Sequence, residues 1–137
     1  MNVVIANPPN IDAIDAVFHV KGKRGVIFTY GDTLYNPSNC EISASLKAHE
    51  GVHFQRQTNN AERIEAWWKQ YLEDPQFRFN EELPAHIAEF KQFCAHVRDR
   101  NQRHQYLMAI AGRIAGPLYG NMADMNKARR LIAGGKA

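Results

Sequence analysis

The sequence predicts an α+β fold: a short N-terminal β-hairpin followed by a mostly helical single domain. Three observations predict it. Two β-branched and aromatic runs flank Gly31-Asp32 between residues 26 and 35, which is hairpin patterning. From Ala44 onward, apolar residues recur at spacings of three and four, the period of buried helices. The chain has 137 residues, 45% of them hydrophobic and 23% charged, which suits one hydrophobic core and one domain over residues 1–137.

In chain order, Asn7-Pro8-Pro9-Asn10 reads as a stiff loop ahead of a helix whose Ile11, Ile14, Val17 and Phe18 share one face. Strands follow at residues 26–30 and 33–35, and Pro37 closes the second. A helix covers residues 44–57. The next covers 61–72, opened by Asn59 with Glu62 three residues later in a capping-box pattern and ended by Asp74-Pro75. A third begins near Glu81 with Asn80 as cap and Pro84 in its first turn, where a missing N–H costs little. Its Leu83, Ile87, Phe90, Cys94 and Val97 form a buried stripe. A fourth carries Leu107, Ile110, Ala111 and Ile114 and stops at Gly116-Pro117. A short last helix covers about 122–132.

No stretch approaches the roughly 20 apolar residues of a membrane span, so no membrane partner is expected. The N-terminus lacks the basic start, long apolar middle and small-residue cleavage site of a secretory signal. The expected location is the cytoplasm, with a phage origin or delivery by a secretion machine as the exception. Cys40 and Cys94 stand far apart with no C-x-x-C pair and read as reduced, partly buried thiols. Net charge is +3, but from Lys91 onward nine Lys or Arg face two Asp, which leaves residues 1–90 at −4. A basic C-terminal third can contact nucleic acid or an acidic partner; more often such charges are the solvated faces of helices.

Residues 49–53 read His-Glu-Gly-Val-His. On a helix, positions i and i+4 lie one turn apart on one face, so both imidazoles can reach one metal ion. Glu50 is rotated away from His49, too far to ligate, but able to take a proton from a water on the metal. Two histidines, one further ligand and a water make the catalytic zinc arrangement, one ion per chain. With six His and eight Glu, a chance H-E-x-x-H arises in roughly one or two such chains per hundred. Leu46, Ala48 and Val52 add an apolar side that can bury the helix, whereas Gly51 weakens it by about 1 kcal/mol. The bland alternative is a solvated or core-satisfied histidine pair.

The third ligand must come from a later helix, because Asn59 stands where a longer histidine motif would need a ligand. Glu82 is favoured. It shares a face with His86, Glu89 and Phe93, opposite the apolar stripe. His86, one turn deeper, is expected to support a ligand or to donate to the transition state, or else to be an ordinary polar residue. Glu81 reads as a charge complementing the helix start.

HEGVHFQRQ, WWKQYLEDPQFRFNEELPAH and IAGPLYGNM together resemble the small phage and bacterial gluzincin metallopeptidases, or minigluzincins, over about residues 28–132. The resemblance implies a zincin-like fold with the H-E-x-x-H helix as the active-site helix. It implies zinc ligation by His49, His53 and the glutamate of an E-x-x-A pattern, which Glu82 to Ala85 match. It also implies that strand 33–36 is the edge strand above that helix, open to substrate pairing through backbone hydrogen bonds. Many members carry tyrosine or aspartate where this chain has His86.

Tyr119, on the Gly116–Gly120 loop, is a candidate donor to a developing oxyanion, although aromatics at helix junctions are more often packing residues. Arg78 is expected either to steady a carboxylate or to be exposed. Trp67, Trp68 and Tyr71 read as core aromatics, and His96 and His104 as exposed.

Two functions follow as expectations. The first is a zinc metallopeptidase acting on a peptide or protein substrate, with Glu50 as general base and Tyr119 and His86 as catalytic candidates. The second is a catalytically weak or inactive gluzincin-like phage or secretion-system component. It would bind a protein partner, or less readily nucleic acid, through the basic C-terminal region including Arg129 and Arg130.

Overall fold

The computed structural model describes residues 1–135, and in it the chain enters a sheet at once. Strand β1 (Asn2–Val4) has no counterpart in the local reading above, although Val3, Val4 and Ile5 are β-branched. Helix α1 (Ile11–Phe18) follows, sinks Ile14 and stops where His19 turns left-handed at φ 53°. Strands β2 (Phe28–Tyr30) and β3 (Thr33–Tyr35) form the expected hairpin, with Thr29 opposite Leu34. Gly31 makes the turn possible twice over. Its φ is +60°, and a Cβ there would meet the Ile64 side chain at 2.7 Å.

The sheet order is β1-β3-β2, with β1 parallel to β3. Strand 33–35 is therefore the inner strand and not an edge, which corrects the expectation drawn from the family resemblance. The cause is β1, which occupies the outer side of β3 and leaves β2 as the edge nearest the helices.

Helix α2 (Ala44–Gln57) is capped by Ser43, whose side chain accepts from Leu46 N at 3.1 Å. Its buried face is Ser45, His49, Glu50, His53 and Gln57, while Leu46, Ala48 and Val52 are only half-buried. The helix is sunk by its polar side, the reverse of the expected arrangement. Helix α3 (Ala61–Glu73) is capped by Asn60 and not by Asn59; the Asn60 side chain accepts from Arg63 N, so Glu62 falls one position short of a capping box.

Helix α4 (Pro75–His96) begins well before Glu81. Asp74 ends α3 and caps α4 by accepting from Gln76 N, and Pro75 takes the first helical position, where its missing N–H is harmless. Pro84 is consequently inside the helix, a placement that costs roughly 3 kcal/mol of helix propensity. Both sides of α4 are packed, which holds it helical through the proline. Helix α5 (Arg100–Ile114), a 3-10 turn (Pro117–Tyr119) and α6 (Met125–Gly134), capped by Asp124, complete the body.

Two apolar clusters result. Phe79, Leu83 and Ile87 of α4 pack on Leu107, Ile110, Ala111 and Ile114 of α5 and on Ala128 and Ile132 of α6. Ile14, Phe28, Ile64, Trp67, Trp68 and Tyr71 form the second, between the sheet and α3. Between them, α2 lies against the polar side of α4. Cys40 and Cys94 are free and partly buried. Among the described residues, no helix is long and apolar enough to cross a membrane.

Candidate metal centre

The one-turn spacing on α2 brings His49 and His53 side by side, their ring centroids 5.0 Å apart. Glu82 reaches them from α4. Nε2 of His49 is 3.0 Å and Nε2 of His53 3.2 Å from Oε1 of Glu82, and all three residues are buried. A tetrahedral ion with bonds of about 2.0–2.1 Å holds its ligand atoms roughly 3.3 Å apart. Both nitrogens are thus near ligand spacing from Glu82, and the three atoms lie within 4.8 Å of one another. The donor set of two imidazoles and a carboxylate fits a divalent cation.

Surrounding residues orient two of the three candidate ligands, His49 and Glu82. Nδ1 of His49 lies 2.8 Å from Oε1 of Glu89, which aims Nε2 at Glu82. Glu89 is held in turn by Tyr106 at 2.5 Å and Arg113 at 2.8 Å from α5. The other oxygen of Glu82 accepts from Tyr71 at 2.6 Å. Glu81 is no simple helix-start charge. It is buried, accepts from Trp67 Nε1 at 2.7 Å and from Arg56 at 2.7 and 3.0 Å, and so anchors α4 beside α2. Nδ1 of His53 is buried and has no hydrogen-bond partner.

The electrostatics ask for positive charge at this point. Burial raises the pKa of Glu82, but the His53 and His49 charges and hydrogen bonds overcome it and hold the carboxyl well below its usual range. Burial likewise opposes ionisation of Glu89, yet its bonds to His49 and Tyr106 bring it down to about 2. Burial disfavours a charged His49, and the hydrogen bonds it donates to Glu82 and Glu89 outweigh it, pushing the pKa up to about 10. The Nε2 proton that this favours faces Glu82, and it is the one a bound cation would displace.

Glu50 is brought to the same place. Its carboxylate accepts from Thr29 Oγ1 of β2 at 2.6 Å. His49, Glu50, His53 and Glu82 all line a cleft of about 190 Å³, together with Thr29, Tyr71 and Tyr119. Tyr119 is positioned by Arg78. That guanidinium, buried and neither exposed nor on a carboxylate, donates to the carbonyls of Leu118, Tyr71 and Leu72 at 2.8–3.0 Å and so ties the 3-10 turn to the end of α3. Burial pushes the Tyr119 pKa up to about 12, so the phenol keeps its proton.

His86 stands behind His49, with ring centroids 4.7 Å apart and its Nδ1 2.7 Å from the Glu82 carbonyl. Burial and the His49 charge push its pKa down to about 4, so it is neutral. His49, His86 and Glu89 also group closely enough to hold an ion. However, His86 and Glu89 are absent from the cleft lining, and Glu89 is already bonded to His49, Tyr106 and Arg113. The group of His49, His53 and Glu82 opens to the cleft.

The structure adds residues that local reasoning missed. Glu89 had a visible signal, since it shares the face of Glu82 and His86. Thr29, Tyr71 and the Trp67–Glu81–Arg56 link had none, because each is a contact between distant segments. In the C-terminal third, Arg113 serves Glu89 and Arg103 donates to the carbonyls of Val97 and Cys94, so these two cations act internally. Arg130 is exposed, as are His96 and His104, and Arg129 is half-buried.

Comparison with protein-family models, with curated proteins and with solved structures finds no match to this chain.

Proposed function

We propose that this chain is a zinc metallopeptidase of gluzincin type, with a zincin-like fold, that hydrolyses peptide bonds in a peptide or protein substrate. The observation that carries the reading is the convergence of His49, His53 and Glu82 at 3.0–3.2 Å on the floor of a cleft that Glu50 also lines. His49 Nε2, His53 Nε2 and the Glu82 carboxylate would hold the ion. Zinc, when bound, supplies a Lewis acid that lowers the pKa of water to about 7 and polarises a carbonyl oxygen.

The protein's own residues supply the rest. Glu50, oriented by Thr29, takes a proton from the attacking water and returns it to the departing amine as the C–N bond breaks. The products are one carboxylic acid and one amine. Tyr119, protonated and held over the cleft, donates a hydrogen bond to the scissile carbonyl oxygen as it gains charge. His86 acts on the substrate only through His49, whose ring it packs against edge-on.

Elemental analysis and a peptide-library cleavage screen test this. The gently purified wild type should carry about one zinc per chain, Glu82→Ala should lose most of it, and Glu50→Gln should keep it. Cleavage by Glu50→Gln should fall by about 10²–10⁴-fold, the usual contribution of a general base. A folded wild type that takes up no added zinc would sink the proposal, as would a Glu50→Gln variant that still cleaves.

A further inference from the structure

The cleft is far more apolar than its metal-facing floor. Away from Glu50 it runs among Ile14, Phe18, Val20, Val26, Trp68 and Leu118. Three of its lining residues, Val20, Val26 and Phe28, also line a neighbouring groove of about 430 Å³, so the two spaces adjoin. That groove is cationic, lined by Lys21, Lys23 and Arg24, and among the described residues no Asp or Glu lines it.

Lys21 is paired, its side chain with Asp12, while its backbone N–H donates to Asp15 at 2.8 Å. Lys23 and Arg24 are exposed, and neither side chain hydrogen-bonds or ion-pairs with another described residue. Their turn is built: Lys23 N donates to Val20 O at 3.0 Å, Gly25 N to Ser38 Oγ at 3.3 Å, and Gly22 and Gly25 both take φ 81°. Two cations with no partner among the described residues thus stand in a groove that shares Val20, Val26 and Phe28 with the apolar cleft.

We propose that the cleft takes a peptide with a bulky apolar side chain, whose neighbouring carboxylate is drawn to Lys23 and Arg24. This rests on the peptidase reading above. The carboxylate is either an Asp or Glu side chain or the peptide's free C-terminus.

The test is binding to full-length, zinc-loaded Glu50→Gln, followed by the fluorescence of Trp67 and Trp68, both in the cleft wall. The probes are alanine-based hexapeptides with one Phe and a Glu or Gln at each nearby position, each made as free acid and as C-terminal amide. At low salt, the carboxylate-bearing peptides should bind about three- to tenfold tighter than the uncharged ones, and 0.5 M salt should erase most of the difference. A Glu-dependent gain identifies the side chain as the source, and an acid-over-amide gain identifies the terminus. Lys23→Gln with Arg24→Gln, on an exposed turn, should abolish the gain. Replacing Phe with Ala should weaken binding by about tenfold or more.

Equal affinities across the set, a gain that survives the double variant, or no binding at all would overturn the proposal. Wild-type cleavage that ignores charge would defeat the substrate preference and leave the peptidase reading standing. A charge-dependent binding preference without any cleavage by the wild type would do the reverse.

Discussion

Helix α4 is buried on two sides with opposite chemistry. Phe79, Leu83 and Ile87 face α5 and α6, whereas Glu81, Glu82, His86 and Glu89 lie toward α2 and the centre of the site. The apolar side stabilises simply by leaving water, at about 25 cal/mol per Å². The polar side gains little that way. Buried ionic groups offset their desolvation only when fully paired, and apolar replacements of the same shape are often as stable or more so. Here nearly every polar atom is paired, through Tyr71, Trp67, Arg56, Tyr106, Arg113 and the two histidines. The side so built brings together His49, His53 and Glu82, which could hold a metal ion, and leaves Nδ1 of His53 buried without a hydrogen-bond partner.

The sharpest way to break that contrast is Leu83→Ala. Leu83 is 6% exposed in the apolar cluster, and its truncation should cost about 2–5 kcal/mol in chemical denaturation. Zinc per folded chain should be unchanged; metal lost together with stability would show that the two sides are not separable. Glu89→Gln should act the other way. With the carboxylate behind His49 neutralised, zinc affinity in a chelator competition should fall by about 10–100-fold. An unchanged affinity would mean that Glu89 merely fills space. The smallest effect belongs to the outer face of α2, where a Cβ added at Gly51 would meet nothing within 4 Å. Gly51→Ala should stabilise the protein by up to about 1 kcal/mol, leaving metal content as it was.

Much of the body was readable from residues alone. The hairpin at Gly31-Asp32, the helix over 44–57 and the stripe through Leu107, Ile110, Ala111 and Ile114 all lie where period and turn chemistry put them. The errors share a cause. Asn80 and Asn59 are good caps in isolation, but Asp74 and Asn60 are the ones whose side chains reach a free N–H. The edge role of strand 33–36 was implied by the family resemblance; β1, some thirty residues away, pairs there instead, and β-pairing over that separation leaves no local trace. For α2, the apolar residues were read as the buried side, yet the helix packs by Ser45, His49, Glu50, His53 and Gln57, since its neighbour on α4 is polar too.

The sequence by itself determined the spacing: His49 and His53 one turn apart, Glu50 beside them, and Glu82, His86 and Glu89 on one face of a later helix. A helix repeats every 3.6 residues whatever surrounds it, so these relations hold before any packing. Only the tertiary structure decided that the two faces meet with His49, His53 and Glu82 close enough to hold an ion, and that Thr29 orients Glu50. It also decided that Arg78 ties the turn carrying Tyr119 beside the cleft and that a basic turn lines the groove adjoining it. Those are contacts between segments far apart in the chain, set by how whole elements pack and not by the period of any one of them.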